Sequence, residues 1–210
     1  MVLLVLVMCV AACEHNEAQG QTGSGSGSSK KRDDIETEQA RFDEARHPEK
    51  VVEALGIKPG SRVADVGAGS GLLTVHLARA VKPNGKVVAT DIDTGVLDLM
   101  HTRLLAAGLD EYVERRVVGA DTLDLMTKPD DPKYDAILLA EVDHYFTDEV
   151  AWLKAAIPAL KPGGRIVISN RIHHREKSIA SATKAGLELL TESTPVQTHF
   201  IAVFVVPKPK

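Results

Sequence analysis

The chain contains little cysteine and few aromatic residues, and it has no surplus of positive charge. Its two cysteines, Cys9 and Cys13, both lie near the N-terminus, which excludes an internal disulfide framework and a cysteine-ligated zinc site. Aromatic residues make up 4% of the sequence and form no cluster suited to stacking single-stranded bases. The formal net charge is −4, without the basic excess that neutralises phosphates, so we expect no nucleic-acid partner.

The rest of the composition fits one globular domain with a short appendage. The 210 residues are 44% hydrophobic and 26% charged, which leaves no room for two large domains. The segment from Lys30 to Arg46 mixes five basic and six acidic side chains, so we expect a solvated helix or spacer without chemistry. We predict a signal-like segment at 1–12, a flexible Gly/Ser-rich and charged linker at 13–46, and a single domain at 47–210.

The first residues have the character of an export signal. The uncharged run from Met1 to Ala12 reaches about 18 Å as a helix, short of the roughly 30 Å hydrocarbon core. A short apolar run ending in small residues is typical of a secretory signal, although no Lys or Arg precedes it here. Val10-Ala11-Ala12-Cys13 resembles the bacterial lipobox. That resemblance implies an exported lipoprotein anchored to the membrane through Cys13 on the periplasmic side; the alternative is a buried N-terminal strand in a cytoplasmic protein.

Strand-like and helix-like segments alternate from Lys58 onward. Apolar residues at three- and four-residue intervals predict helices between the strands, including one that begins after His47 with Pro48 in its first turn. Near the C-terminus, a helix and two strands separated by a turn around Pro195 predict a hairpin. We therefore expect an α/β fold with a doubly wound, Rossmann-like, mostly parallel sheet of about seven strands that ends in an antiparallel hairpin. The earlier strands are predicted at Arg62–Val66, Lys86–Thr90, Tyr112–Val118, Ala136–Ala140 and Arg165–Ile168.

A glycine-rich turn follows the first predicted strand. It runs Asp65-Val66-Gly67-Ala68-Gly69-Ser70-Gly71, where small residues let the backbone approach a ligand and the next helix presents free N–H groups. The dinucleotide fingerprint G-x-G-x-x-G would need a third glycine where Leu72 stands, which weighs against NAD. The pattern instead resembles motif I of the class I S-adenosylmethionine-dependent methyltransferases, a resemblance that extends from about Pro48 to Val206.

This resemblance implies S-adenosyl-L-methionine as the cofactor and assigns several residues to it. Asp65 would lie near the methionine amino group, Asp91 would accept hydrogen bonds from the ribose hydroxyls, and Asp121 would accept from the adenine amino group. The turn Ala159-Leu160-Lys161-Pro162-Gly163-Gly164-Arg165 is similar to the one that precedes the family's fifth strand. The remaining cofactor-binding residues implied are Gly67, Ala68, Gly69, Gly71, Ile92 on the adenine ring, and Glu141 near the sulfonium.

The exit of the fourth strand is the expected acceptor side. Glu141-Val142-Asp143-His144 is not the Asn/Asp-Pro-Pro-Tyr/Phe signature of methyltransferases that act on nucleic-acid bases. It is similar to the acidic-x-x-His stretch of small-molecule methyltransferases, which implies that His144 lies beside the acceptor and is the catalytic residue. Its ordinary pKa suits a general base, and the alternative is a structural hydrogen bond. Residues that could contact substrate from the fifth strand are Asn170, Arg171, His173 and His174; adjacent histidines are usually solvated, so we expect no metal.

Together these features predict an S-adenosylmethionine-dependent methyltransferase that modifies a small-molecule acceptor. Two alternatives from other classes stay open at this point. The fold could serve a non-catalytic module that binds a nucleoside or S-adenosylmethionine, or it could belong to an NAD-dependent oxidoreductase. The sequence leaves the oligomeric state open.

Overall fold

The structure, a computed structural model of the chain, describes residues 26–126 and 130–208. Residues 1–25 lie outside this description. They include the predicted leader at 1–12 and the predicted anchor residue Cys13. No helix within the described ranges is both long enough and apolar enough to cross a membrane. In the same ranges the elements are α1 Ser26–Arg46, α2 Pro48–Leu55, β1 Arg62–Val66, α3 Thr74–Val81, β2 Lys86–Asp91, α4 Thr94–Ala107, β3 Val113–Val117, β4 Tyr134–Ala140, α5 Glu149–Ala156, β5 Leu160–Arg171, α6 Arg175–Lys184, β6 Glu188–Val196 and β7 His199–Val205.

The strands form one seven-stranded sheet in the order β3-β2-β1-β4-β5-β7-β6. The strands β1 to β5 pair in parallel, and β7 lies antiparallel between β5 and β6. The predicted α/β fold with a mostly parallel sheet and a terminal antiparallel hairpin is confirmed. The chain builds outward from β1 to β3 and then crosses to β4, so the strand order switches direction between β1 and β4. A crevice for ligands is expected outside the carboxyl ends of the strands at such a switch point.

Helices cover both faces of the sheet, which explains the continuous apolar runs. Ile137 and Leu138 are successive residues of β4 that point to opposite faces, and both are fully buried. Ile137 packs in a core with side chains of α5 and α6, including Trp152. Leu138 packs in a second core with side chains of α2, α3 and α4, including Met100. The sheet is therefore packed between two apolar cores, one on each face.

Local signals in the sequence set several helix starts. The Asp93 carboxylate accepts a hydrogen bond of 2.6 Å from the Gly95 amide at the start of α4, and Asp148 accepts one of 2.9 Å from Ala151 at the start of α5. Pro48 occupies the first turn of α2, as predicted. The loops that precede these helices lie at the same edge of the sheet because β2 and β4 both run parallel to β1.

Two boundaries near the C-terminus differ from the prediction. Pro195 was expected in the hairpin turn, but it lies inside β6, and the turn is formed by residues 197 and 198. The proline is tolerated because β6 is the edge strand and pairs only with β7, with an irregular register between Ser193 and Val196. The strand β5 begins at Leu160, five residues earlier than expected, because Leu160 pairs with Tyr134 across a bulge.

Candidate functional site

The glycine turn connects β1 to α3 with a backbone that requires glycine. Gly67 has a φ of +66°, and a Cβ there would lie 2.5 Å from the Val142 side chain. Gly71 has a φ of +83°, and its Cβ would lie 2.5 Å from Met100. A Cβ on Gly69 would meet no atom within 4 Å. Gly67 therefore allows the β4 exit to pack closely, Gly71 allows α4 to pack closely, and the backbone at Gly69 borders open space.

A first cavity, of about 250 Å³, opens at the carboxyl ends of β1, β2 and β4. It includes four of the predicted cofactor residues beside the turn residue Gly67: Asp91, Ile92, Asp121 and Glu141. Its remaining lining residues are Val66, Thr90, Val118, Gly119, Ala120, Thr122, Val142, Tyr145 and Phe146. The structure thus brings together residues that are up to 80 positions apart in the sequence.

Asp91 is held by the backbone on two sides. Its Oδ2 accepts a hydrogen bond of 2.8 Å from the Gly69 amide, and its Oδ1 accepts one of 3.0 Å from the Asp93 amide. Each carboxylate oxygen keeps further acceptor capacity, so the group can receive a vicinal diol without moving. Ile92, next in sequence, is 65% exposed and contributes an aliphatic surface to the cavity.

Asp121 lines the first cavity in a left-handed conformation, with a φ of +60°. Its Oδ2 accepts from the Thr147 hydroxyl and its Oδ1 from the Thr147 amide, each at 2.7 Å. These hydrogen bonds lower the pKa of Asp121 below its ordinary value. The carboxylate therefore stays ionised and links the loop after β3 to the loop before α5.

A second cavity, of about 160 Å³, lies over the glycine turn. It shares Gly67 and Glu141 with the first cavity, so the two meet at these residues. Asp65 lies at its base and is almost fully buried. Burial raises the pKa of Asp65 to about 6, although the Thr74 hydroxyl donates to it at 2.7 Å, and the nearby Asp91 charge adds to the increase. The other lining residues are Phe42, Arg46, Ala68, Gly69, Ser70, Leu72, Leu73 and Ala140.

Glu141 stands where the two cavities meet, directly after β4, with a φ of +54°. It accepts a hydrogen bond from the Arg46 guanidinium and one of 3.3 Å from Arg171 Nε, and His199 Nε2 lies 3.3 Å from it. Burial favours a higher pKa, but the hydrogen bond and charge of Arg46, followed by Arg171 and His199, lower the pKa of Glu141 overall. A non-glycine residue held in this conformation is characteristic of a functional position.

His144 lines neither of these cavities. It lies in a short helical turn after β4, its ring stacks on His174 at 4.2 Å, and its Nδ1 is 2.9 Å from Asn170 Nδ2. The Asn170 amide also donates to Asp143 at 2.6 Å, and both Asn170 and Asp143 are fully buried. Gly71 likewise lines neither cavity. Among the predicted substrate contacts, Asn170 is buried below His144 and Arg171 binds Glu141.

The helix α1 contributes to the candidate site, which its sequence does not predict. The charged composition of Lys30 to Arg46 predicts a solvated segment without chemistry, yet Phe42 and Arg46 line the second cavity. In the structure, the partly buried side chains of α1 recur every three or four residues on one face of the helix, but most of them are polar, so the sequence shows no apolar stripe there. These side chains are Ile35, Gln39, Phe42, Asp43 and Arg46.

Comparisons with known proteins agree with this geometry. Residues 64–166 match the family described as methyltransferase domain. The chain is 33% identical over 117 residues to the ubiquinone/menaquinone biosynthesis C-methyltransferase UbiE of Ectopseudomonas mendocina, covering 56% of this chain and 44% of that protein. It is 31% identical over 157 residues to the ubiquinone biosynthesis O-methyltransferase of Alkalilimnicola ehrlichii, covering 75% of this chain and 60% of that protein. The chain thus spans about half the length of the curated relatives it matches.

Solved structures show the same fold. A SAM-dependent methyltransferase from Aquifex aeolicus superposes with a TM-score of 0.71 at 21% identity, covering 82% of this chain and 97% of that one. A SAM-dependent O-methyltransferase from Thermotoga maritima gives 0.62 at 22% identity, covering 79% and 66%. The comparisons give no support to the NAD-dependent oxidoreductase or to the non-catalytic module.

Proposed function

We propose that this protein, which belongs to the class I S-adenosylmethionine-dependent methyltransferases, transfers the methyl group of that cofactor to a small-molecule acceptor. One observation carries the proposal. Two cavities meet at Gly67 and Glu141 on the edge of the sheet where the strand order switches, and their linings differ in chemistry as the two halves of the cofactor do. Together they fall within the range of about 300 to 1,000 Å³ that is usual for ligand pockets.

The first cavity fits an adenosine. Asp91 offers two fixed carboxylate oxygens for the ribose hydroxyls, Ile92 offers an aliphatic surface for the ring, and Asp121 offers an ionised acceptor. The side chains of Tyr145 and Phe146 complete the lining. The nucleoside would therefore be held by polar groups at its edges and by apolar surface along its faces.

The second cavity fits an amino-acid group. Its lining combines the anionic Glu141, the buried Asp65 and the cationic Arg46 beside the backbone of the glycine turn. When bound, the cofactor supplies an electrophilic methyl group on a sulfonium. The ionised Glu141, at the meeting point of the two cavities, favours a positive charge there. Asp65, Gly67, Ala68 and Gly69 would bind this half, whereas Gly71 would act by packing against α4.

The net charge of the chain and the names of its relatives support the proposal of a small-molecule acceptor. The chain has a net charge of −4, and both curated relatives reported above carry names from quinone biosynthesis, one a C-methyltransferase and the other an O-methyltransferase. In a methyl transfer the protein contributes mainly by placing the acceptor atom, at about 3 to 3.5 Å from the methyl carbon. A base is needed only for acceptors that must lose a proton.

We propose that His144 faces the acceptor as a hydrogen-bond donor. The Asn170 amide is oriented by its donation to Asp143 and by the Arg171 amide, which donates to Asn170 Oδ1 at 2.7 Å. Asn170 Nδ2 therefore donates to His144 Nδ1, and the neutral ring must carry its proton on Nε2. The ring would then position an acceptor oxygen or nitrogen instead of removing its proton.

The proposed function is tested by measuring whether a labelled methyl group passes from the cofactor to another molecule. The purified protein is incubated with methyl-labelled S-adenosylmethionine and a low-molecular-weight metabolite extract, and products are separated by chromatography. We expect label in a small-molecule fraction, with strongly reduced transfer by Asp91→Ala. Binding of the cofactor without transfer to any fraction would contradict the proposed reaction.

We also propose that the segment before α1 exports and anchors the protein through Cys13. The support is the lipobox-like Val10-Ala11-Ala12-Cys13 after an apolar run. Cells that express the full chain are fed a labelled fatty acid, with Cys13→Ala as the control. We expect label in the wild-type protein alone; equal labelling of both would rule out this anchor.

A further inference from the structure

The turn after β4 and the helices α5 and α6 enclose a buried polar cluster next to His144. Its two carboxyl groups belong to Asp143 and Glu149, which are 0% and 5% exposed. Neither residue lines the cavities described above. Two buried serines of α6, Ser178 and Ser181, are three positions apart and so lie on the same face of the helix, toward these carboxyls. Because a buried charge is costly without partners, the distribution of hydrogen-bond donors decides which carboxyl is ionised.

The donors are divided unequally between the two carboxyls. Asp143 Oδ1 accepts a hydrogen bond of 2.6 Å from Asn170 Nδ2, and Asp143 Oδ2 accepts one from the Ser178 hydroxyl. Glu149 Oε2 accepts one of 3.0 Å from the Ser181 hydroxyl. Among the described residues, no donor reaches the buried Glu149 Oε1. Asp143 is therefore the better site for a negative charge, and Glu149 is the better site for a proton.

The surroundings of Glu149 favour its protonated form. Burial raises the pKa of Glu149 to about 7, and the negative charge of Asp143 adds to the increase. The Ser181 hydroxyl and the exposed Lys177 of α6, whose Nζ lies 3.8 Å from Glu149 Oε2, oppose the increase. Before α6, His174 interacts with Asp143, but desolvation lowers the pKa of His174, so this ring adds little positive charge. Below about pH 7 the two buried carboxyls therefore hold one proton between them.

We propose that Glu149 is a positioning residue for the acceptor side of the site, because it carries this proton and so keeps Asp143 as the ionised acceptor for Asn170. This inference rests on the proposed function, which places His144 beside the acceptor. Asn170 Nδ2 can donate to both Asp143 and His144 Nδ1 in only one orientation of the amide. The ionised acceptor strengthens this hydrogen bond. If Asp143 held the proton, it could donate instead of accept, and the amide would lose this constraint.

Loss of the proton from Glu149 weakens the arrangement. Above about pH 7 both carboxyls are charged and repel each other in a buried space. The hydrogen bond from Asn170 to His144 then loses part of its support. Glu149→Gln has nearly the shape of the protonated carboxyl and cannot ionise, so we expect this variant to keep the low-pH arrangement as the pH rises.

The side-chain amide of Asn170 reports this coupling in ¹H–¹⁵N NMR spectra, where Asn170→Asp assigns its signal. Between about pH 6 and about pH 8 we expect the wild-type signal to shift with the same midpoint as the ¹³C signal of the Glu149 carboxyl. This step should be absent in Glu149→Gln. It should persist in the control Glu188→Gln, which removes an exposed carboxylate from β6. Shifts caused by the nearby histidine rings occur in all three proteins, so they do not alter the difference.

A second measurement compares methyl transfer to the metabolite extract at the same pH values. We expect the ratio of transfer by Glu149→Gln to transfer by the wild type to rise from about pH 6 to about pH 8, because only the wild type loses its positioning. A role in folding alone would give a constant ratio. Both proteins should bind S-adenosylhomocysteine with affinities within about 2-fold of each other, since Glu149 lines neither cavity.

The outcomes separate this inference from the proposed function. If the Asn170 signal shifts alike in the wild type and Glu149→Gln, or if the transfer ratio is constant with pH, the role of Glu149 is overturned, while transfer by the wild type still supports the proposed function. If the wild type transfers no label, the proposed function fails, and the role of Glu149 in the reaction fails with it.

Asp143→Asn provides a reciprocal test that does not depend on the folding of Glu149→Gln. Removal of the Asp143 charge should lower the midpoint of the Glu149 carboxyl, because this charge contributes to its raised pKa. An unchanged midpoint would overturn the coupling between the two carboxyls.

Discussion

The Gly69 amide donates a hydrogen bond of 2.8 Å to Asp91 Oδ2, so the glycine turn after β1 and the end of β2 form one rigid unit. The Ala68 amide adds a second link by donating to the Thr90 carbonyl at 2.9 Å. Because the turn and the carboxylate cannot shift independently, the first cavity is formed before any ligand arrives. This preorganisation reduces the ordering cost of binding.

Asp91 should therefore contribute strongly to cofactor affinity. We expect Asp91→Ala to weaken binding of S-adenosylhomocysteine by about 1.5 to 3 kcal/mol, the scale of hydrogen bonds that involve a charged group. The measurement is calorimetric titration, with Asp98→Ala on the exposed surface of α4 as the control. Unchanged affinity in Asp91→Ala would show that the ribose is held by other residues.

The buried Asp65 should reduce stability at neutral pH. Its pKa in the folded protein is about 6, above the ordinary value of 3.8. Between these two pH values the folded state keeps a proton that the unfolded chain releases, so the free energy of unfolding falls as the pH rises. Below about pH 4 both states are protonated and the penalty vanishes.

Asp65→Asn removes this titration and keeps an oxygen that can accept from Thr74. We expect the variant to be more stable than the wild type at pH 7.5 by about 1 to 3 kcal/mol, with the difference shrinking toward pH 4. Urea unfolding at a series of pH values measures it. A difference that stays constant over this range, or a less stable variant at pH 7.5, would contradict the assigned pKa.

The tautomer of His144 can be observed directly. We expect the neutral ring to carry its proton on Nε2, because Asn170 donates to Nδ1. Long-range ¹H–¹⁵N correlation spectra distinguish the two ring nitrogens, and loss of the signal in His144→Gln assigns it. A proton found on Nδ1 would instead free Nε2 to act as a base.

Much of this molecule follows from local patterns. The strands were predictable because both faces of a parallel sheet are covered, which leaves continuous apolar runs such as the one through Ile137 and Leu138. Asp91 and Glu141 were predictable as neighbours because carboxyl ends of parallel strands share one edge. These features depend only on residues close in sequence and on the regular geometry of the fold.

The unpredicted features depend on partners far away in the sequence. Arg46 meets Glu141 across 95 positions and His144 meets Asn170 across 26, and neither pairing leaves a periodic apolar signal. The docked face of α1 is largely polar, so its composition resembled that of a solvated helix. The position of Pro195 inside a strand is possible because β6 lies at the edge of the sheet. Only the strand order reveals that β6 is an edge strand.

The central claim is that the joined cavities at Gly67 and Glu141 are built for S-adenosylmethionine. Thermal unfolding of the purified chain with S-adenosylhomocysteine, compared with NAD at the same concentration, tests it most directly. At a ligand concentration 100 times the Kd, we predict stabilisation by about 2.7 kcal/mol with S-adenosylhomocysteine and none with NAD. Stabilisation by NAD alone would contradict the account.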